Sequence, residues 1–103
     1  VPPEEYTENI RTFQEKITEN GGQMMLFGYP LEREGYTAEH RRILHAAADV
    51  LKVPLYDPQP EFEKRTVQET LYFPQDRGHA NADGNNAIAQ GVAQYLVANK
   101  LVP

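Results

Sequence analysis

The 103-residue chain has no serine, no cysteine and no tryptophan. Without cysteine there is no disulfide and no thiolate metal site, although the lack of cysteine does not fix a compartment. Without serine or cysteine the chain also lacks the commonest side-chain nucleophiles of acyl transfer. No apolar run approaches the roughly 18 residues of a membrane-spanning helix, and no charged-then-apolar leader precedes a small-residue cleavage site. Positive charge is scarce too: Lys and Arg number 10 against 15 Asp and Glu, the formal net charge is -5, and the sequence pI is about 5.1. The longest basic runs are the pairs Arg41-Arg42 and Lys64-Arg65. Such a balance gives no electrostatic hold on phosphate backbones, so nucleic acid is not an expected partner.

The residues that are present alternate between helical and strand patterns. "VPPEEYTENIRTFQEKITENGG" reads as a helix, with Pro3 in its first turn, Glu4 and Glu5 at the positive end of its dipole and Gly21-Gly22 as its stop. Tyr6, Ile10, Phe13 and Ile17 fall on one stripe of it. In "QMMLFGYP", Met24 to Phe27 form an apolar run closed by Gly28 and Pro30, the pattern of a short strand covered on both faces, with the two methionines as core filler. Thr37 is placed to cap a helix running to about Leu51, with Ile43, Leu44, Ala47, Val50 and Leu51 on one side. "VPLYD" is a second short strand with Asp57 at its end. Residues 58 to 75 read as loop with one short helix near Glu63 to Leu71, and a last helix spans about Asp83 to Asn99.

This order is that of an α/β domain with a mostly parallel sheet. Two strands do not complete such a sheet, because each needs a neighbour and helices on both faces. Residues 1–103 are therefore expected to be the C-terminal portion of a single larger domain, with the upstream part of that domain as a partner. Strand edges left open would pair with another copy or be covered by helices.

The chemistry concentrates in "FPQDRGHANADGNNAIAQ", where Asp76 stands three residues before His79 in a loop rich in turn formers. Catalytic groups in open α/β sheets gather on loops at the carboxyl ends of strands, and a loop that precedes a helix lies on that edge. An Asp at this spacing can reach the Nδ1-H side of the ring, fix its tautomer and leave Nε2 as a general base, with Gly78 permitting the tight path. The same spacing also serves a plain turn or a helix cap, and the caps of the last helix are expected to be Asn81 and Asp83.

The block "DRGHANADGNNAIAQGVAQYL" resembles the last motif of the SGNH, or GDSL-type, hydrolases, in which Asp-x-x-His is followed by Asn, a Gly and a helix of small and aliphatic residues. The opening helix and strand resemble the unit that follows that family's Gly-x-Asn-Asp block, and "YTAEHRRILHAAADVLKVPLYD" resembles its next helix-strand unit. The likeness covers essentially the whole chain. It departs at Ala80, where the family often has proline, and at Asn85, where a histidine or another polar residue is common. The resemblance implies a three-layer α/β/α, flavodoxin-like fold of which only the C-terminal strands and helices are present. It also implies a serine esterase, lipase or acylhydrolase acting on a small-molecule acyl ester without a cofactor. His79 would be the base and Asp76 its orienting partner, while the serine and the oxyanion-hole Gly and Asn would come from upstream blocks. By itself the 103-residue chain would then be inactive.

A second reading is a binding or interaction module that keeps the fold without the nucleophile. A flavodoxin-like cofactor domain fits less well, because no phosphate-cradling glycine loop follows either strand. His40 and His45, five residues apart on one helix, do not share a face at ligand spacing and read as surface positions. Asp57 reads as a turn cap or a substrate contact, and the charges of "EFEKR" and "EREG" as solvated surface. Tyr29, Pro30, Tyr36, Tyr72 and Phe73 lie beside the candidate site, where they either line a pocket or pack.

Overall fold

The computed structural model describes residues 2–30, 36–74 and 76–102. Its elements alternate between helix and strand: α1 (Pro3–Glu19), β1 (Leu26–Phe27), α2 (Tyr36–Leu51), β2 (Leu55–Tyr56), α3 (Gln59–Arg65), β3 (Tyr72–Phe73), β4 (Asp76–Ala80) and α4 (Ala82–Ala98). The architecture is mixed α and β, with short sheets between longer helices. The described residues form two compact units. One holds α1, β1, α2 and Leu55; the other holds Tyr29, Pro30 and the chain from Tyr56 onward.

In the first unit α1 begins as its sequence requires, with proline in the first turn followed by Glu4 and Glu5. It ends on Gly21, whose φ of 79° lets the Gly22 N–H reach back to the Ile17 carbonyl at 2.9 Å. The end of α2 has the same geometry, with Lys52 at φ 56° and the Val53 N–H donating to the Ala48 carbonyl at 3.1 Å. The core is Leu26, Ala48, Leu51 and Val53, against which Ile10, Met24, Leu44 and Leu55 pack. Gln14 ties α1 to α2 by donating Nε2 to the Leu51 carbonyl at 3.1 Å.

Two features of this unit differ from the sequence reading. The strand expected over Met24 to Phe27 is confined to Leu26–Phe27, paired with the equally short β2. Leu26 donates its N–H to the Pro54 carbonyl at 2.8 Å, but Pro54 has no N–H to return, so the ladder stops there. The stripe on α1 is only partly covered: Ile10 packs on the core, whereas Phe13 is 63 % exposed, as is Val50 of α2 at 58 %.

In the second unit α3 starts four residues earlier than expected. The Asp57 carboxylate accepts the Gln59 N–H at 3.0 Å, which turns the chain at Pro58 and opens the helix there. Phe62 of α3 is 1 % exposed and anchors a core of Leu71, Tyr72, Ala80 and Ala87, with Ile88 against it. Its ring meets Tyr72 edge-on at a centroid distance of 5.6 Å; replacing such a ring by alanine costs about 3–5 kcal/mol.

The segment read as a pre-helix loop, Asp76 to His79, is instead part of a strand. β4 pairs antiparallel with β3, a hairpin that the expected parallel arrangement does not contain. The turn-forming residues hid it: Pro74 and Gly78 punctuate the stretch, while the pairing is fixed by burial of Tyr72 and Ala80.

Candidate functional site

The β3–β4 hairpin decides where His79 stands. Tyr72 lies opposite Ala80 and Phe73 opposite Asp76, so β4 takes four steps where β3 takes one. Residues 77–79 are the surplus and form a bulge. In a regular strand residues 76 and 79 would face opposite sides, because the side-chain period is two. A bulge breaks that constraint, and bulges commonly re-aim side chains next to active sites. Tyr72 and Ala80 turn inward at 5 % and 3 % exposure, while Phe73 and His79 turn outward. An exposed imidazole is thus mounted on a hairpin whose inner face is part of the core.

The C-terminal end of the bulge is held. On the C-terminal side the Asn81 N–H donates to the Leu71 carbonyl at 2.9 Å. Its side chain then works in two directions: Oδ1 accepts the Gly84 N–H at 2.8 Å, capping α4, and Nδ2 donates to the Thr70 carbonyl at 2.8 Å and the Tyr72 carbonyl at 3.4 Å. Asn81 is the cap that the sequence suggested, and it also fastens the hairpin to the helix. Asp83 lies in the first turn as a charge at the positive end of the dipole and is not the capping residue. Gly84 has a packing reason of its own, since a Cβ there would overlap the Leu71 carbonyl oxygen and meet the Ala80 methyl at 2.9 Å. The Asn and Gly of the motif therefore bring α4 close against the strand that carries His79.

The backbone of Asp76 is in β4; its side chain lies outside the described residues, as does that of Tyr36. Of the other candidates beside the site, Tyr72 and Pro30 are buried in packing roles, and Phe73 is 51 % exposed. Tyr29 is 44 % exposed and its hydroxyl accepts the Ala80 N–H at 3.0 Å. Its proximity to the site was legible from its place after β1, but nothing local in the sequence signals a bond that spans 51 positions.

Beside the hairpin, a groove of about 390 Å³ is lined by Thr66, Glu69, Thr70, Tyr72, Phe73 and Pro74 among others. That size suits a small molecule, and its lining mixes hydroxyl groups with the aromatic residues Tyr72 and Phe73. A second groove, about 490 Å³, lies along the later turns of α4, where Tyr56 and Tyr95 stack at 5.6 Å and an interplanar angle of 9°. Burial, reinforced by the carboxylates of Glu61 and Asp57, raises the pKa of the Tyr56 phenol.

Among the described residues, no group of His, Cys, Asp and Glu side chains could hold a metal ion. His40 and His45 are exposed on α2. Asp57 makes the turn described above. The described ion pairs, Arg11–Glu8, Lys16–Glu19, Arg42–Glu39 and Arg65–Glu69, are all local pairs on helix surfaces or just past a helix end. No described helix is long and apolar enough to cross a membrane. No family model matches the chain, and no curated protein or solved structure matches it.

Proposed function

We propose that this chain is the C-terminal part of an SGNH-type hydrolase domain with a flavodoxin-like, three-layer fold, and that it supplies the proton-handling half of an ester hydrolase site. The observation that carries the reading is the bulge at residues 77–79, which holds an exposed His79 between a core-anchored hairpin and a capped helix. The sequence order Asp-x-x-His-x-Asn-x-x-Gly adds a reason for each position: Asp76 as orienting carboxylate, His79 as base, Asn81 as cap and Gly84 as close-approach residue.

In this mechanism a serine from the upstream part of the domain gives its hydroxyl proton to His79 Nε2 as its oxygen bonds to the ester carbonyl carbon. Donors from the upstream blocks hold the oxyanion. When the intermediate collapses, the carbonyl carbon's bond to the alkoxy oxygen breaks, and that oxygen takes the proton back from His79. A water then repeats the sequence on the acyl-enzyme, with His79 as base, and the acid is released. The groove lined by Thr70, Tyr72 and Phe73, beside the hairpin that carries this base, is available for a small acyl ester.

The first test is the coding sequence upstream of Val1. A Gly-Asp-Ser block followed by a Gly-x-Asn-Asp block is expected, and a start codon close to Val1 without them removes the reading. The second is labelling of the whole gene product by a fluorophosphonate probe, which should be lost in His79→Ala. Undiminished labelling of that variant would show that His79 is not the base.

A further inference from the structure

We infer that Tyr29 is a positioning residue for His79, acting through the peptide unit that joins His79 to Ala80; this rests on the hydrolase reading for its catalytic meaning, though not for its geometry. Neighbouring residues of an antiparallel strand send their N–H groups to opposite edges. Asn81 sends its N–H inward, to the Leu71 carbonyl at 2.9 Å. Ala80, one residue earlier and opposite Tyr72, therefore turns its N–H away from β3, toward the outer edge of β4. That buried residue needs an acceptor which β3 cannot provide, and the Tyr29 hydroxyl provides it at 3.0 Å.

The position of this bond gives it a consequence beyond satisfying one donor. The Ala80 N–H belongs to the same rigid plane as the His79 carbonyl, so fixing it fixes ψ of His79. Backbone dihedrals in turn select the side-chain rotamers available to the imidazole. On the other side lies the bulge with Gly78, whose backbone tolerates many conformations. The phenol belongs to the same compact unit as β4 and reaches its amide across 51 positions of sequence. The ring remains 44 % exposed, so burial alone does not account for a tyrosine here where a phenylalanine would pack equally well.

Tyr29→Phe keeps the ring and removes only the acceptor, which makes it the informative variant. In the 103-residue chain, hydrogen exchange at the Ala80 amide should accelerate about tenfold and the His79 ring resonances should shift, while amides in the middle of α4 keep their protection. Unchanged exchange at Ala80 together with unmoved His79 resonances would overturn the inference. In the whole hydrolase, Tyr29→Phe should lower kcat roughly tenfold with KM little changed and Tm lower by only a few degrees, because misorientation of a base affects the transition state and not ground-state binding. Loss of labelling in His79→Ala with an unaltered kcat in Tyr29→Phe would overturn the positioning role and leave the hydrolase standing. Absence of any fluorophosphonate labelling would remove the hydrolase, and with it the catalytic meaning of Tyr29; the amide and ring measurements would still decide whether Tyr29 orients His79.

Discussion

Asn81 accepts the Gly84 N–H at 2.8 Å with one end of its side-chain amide and donates to the Thr70 carbonyl at 2.8 Å with the other. One side chain thus closes the first turn of α4 and fastens that turn to the strand entering the hairpin. Asn81→Ala should lower stability by about 2–3 kcal/mol, the sum of a lost cap and of carbonyls left without their donor. Asn81→Asp should lose only about 1 kcal/mol, since a carboxylate still caps Gly84 but cannot donate to Thr70. Urea unfolding of the two variants separates these contributions, and equal losses would mean that the donor to Thr70 and Tyr72 alone matters.

Gly84→Ala tests how closely α4 approaches the hairpin. The Leu71 carbonyl that a Cβ would meet is held by the Asn81 N–H at 2.9 Å and cannot swing aside. The helix must move instead, at a cost of about 2–4 kcal/mol in unfolding free energy. The Ala80 amide should lose exchange protection in this variant as well, because the same displacement reaches β4. A near-neutral urea midpoint would show that the approach is looser than described.

These two residues also show where the sequence was readable and where it was not. The Asn81 cap and the ends of α1 and α4 follow from local chemistry: side-chain acceptors, a glycine stop and acidic residues in first turns. Short-range rules reach that far. The hairpin was not legible, because Pro74 and Gly78 look like loop residues and the pairing that overrides them depends on burying Tyr72 and Ala80 against Phe62 and Leu71. Likewise His79 could be singled out by its spacing from Asp76, whereas its bulge and the Tyr29 bond on the peptide after it come from tertiary contacts. The early start of α3 lies between these cases, since an Asp-Pro pair at 57–58 is a turn signal that also opens a helix.

Tyr56 gives a prediction at alkaline pH. Its ring stacks on Tyr95 and lies against α4 so closely at Gly91 that a Cβ there would overlap the phenol oxygen. Burial first, and the carboxylates of Glu61 and Asp57 next, raise its pKa above the ordinary phenol value of 10.0. A group whose pKa is raised in the folded state contributes stability that is complete below its unfolded pKa and is lost as pH rises through the folded value. The urea midpoint should therefore fall above about pH 10, and the fall should be shallower in Tyr56→Phe, which has no proton to lose. Identical slopes in the two proteins would show that other groups account for the alkaline loss.

The helix ends supply a last prediction, in which the chain contains its own control. All three long helices stop on a residue in the left-handed region: Gly21 with φ 79°, and Lys52 and Lys100, each with φ 56°. In each the following residue's N–H reaches five positions back, Gly22 to Ile17, Val53 to Ala48 and Leu101 to Leu96, at 2.9 to 3.1 Å. The geometry is shared but the residue type is not, and a side chain in this conformation costs about 1–2 kcal/mol that glycine avoids. Glycine gives back part of that through the greater freedom of its unfolded state, about 0.4–1 kcal/mol. Lys52→Gly and Lys100→Gly should therefore each stabilise by about 0.5–1 kcal/mol, seen as higher urea midpoints with unchanged slopes. Gly21→Lys should destabilise by a similar amount, because a Cβ there meets nothing within 4 Å and only the backbone conformation resists it. If the lysine variants gain nothing while Gly21→Lys loses stability, the two lysine side chains must be making contacts that offset their backbone cost, and a double replacement at 52 and 100 would then leave the midpoint unchanged instead of raising it.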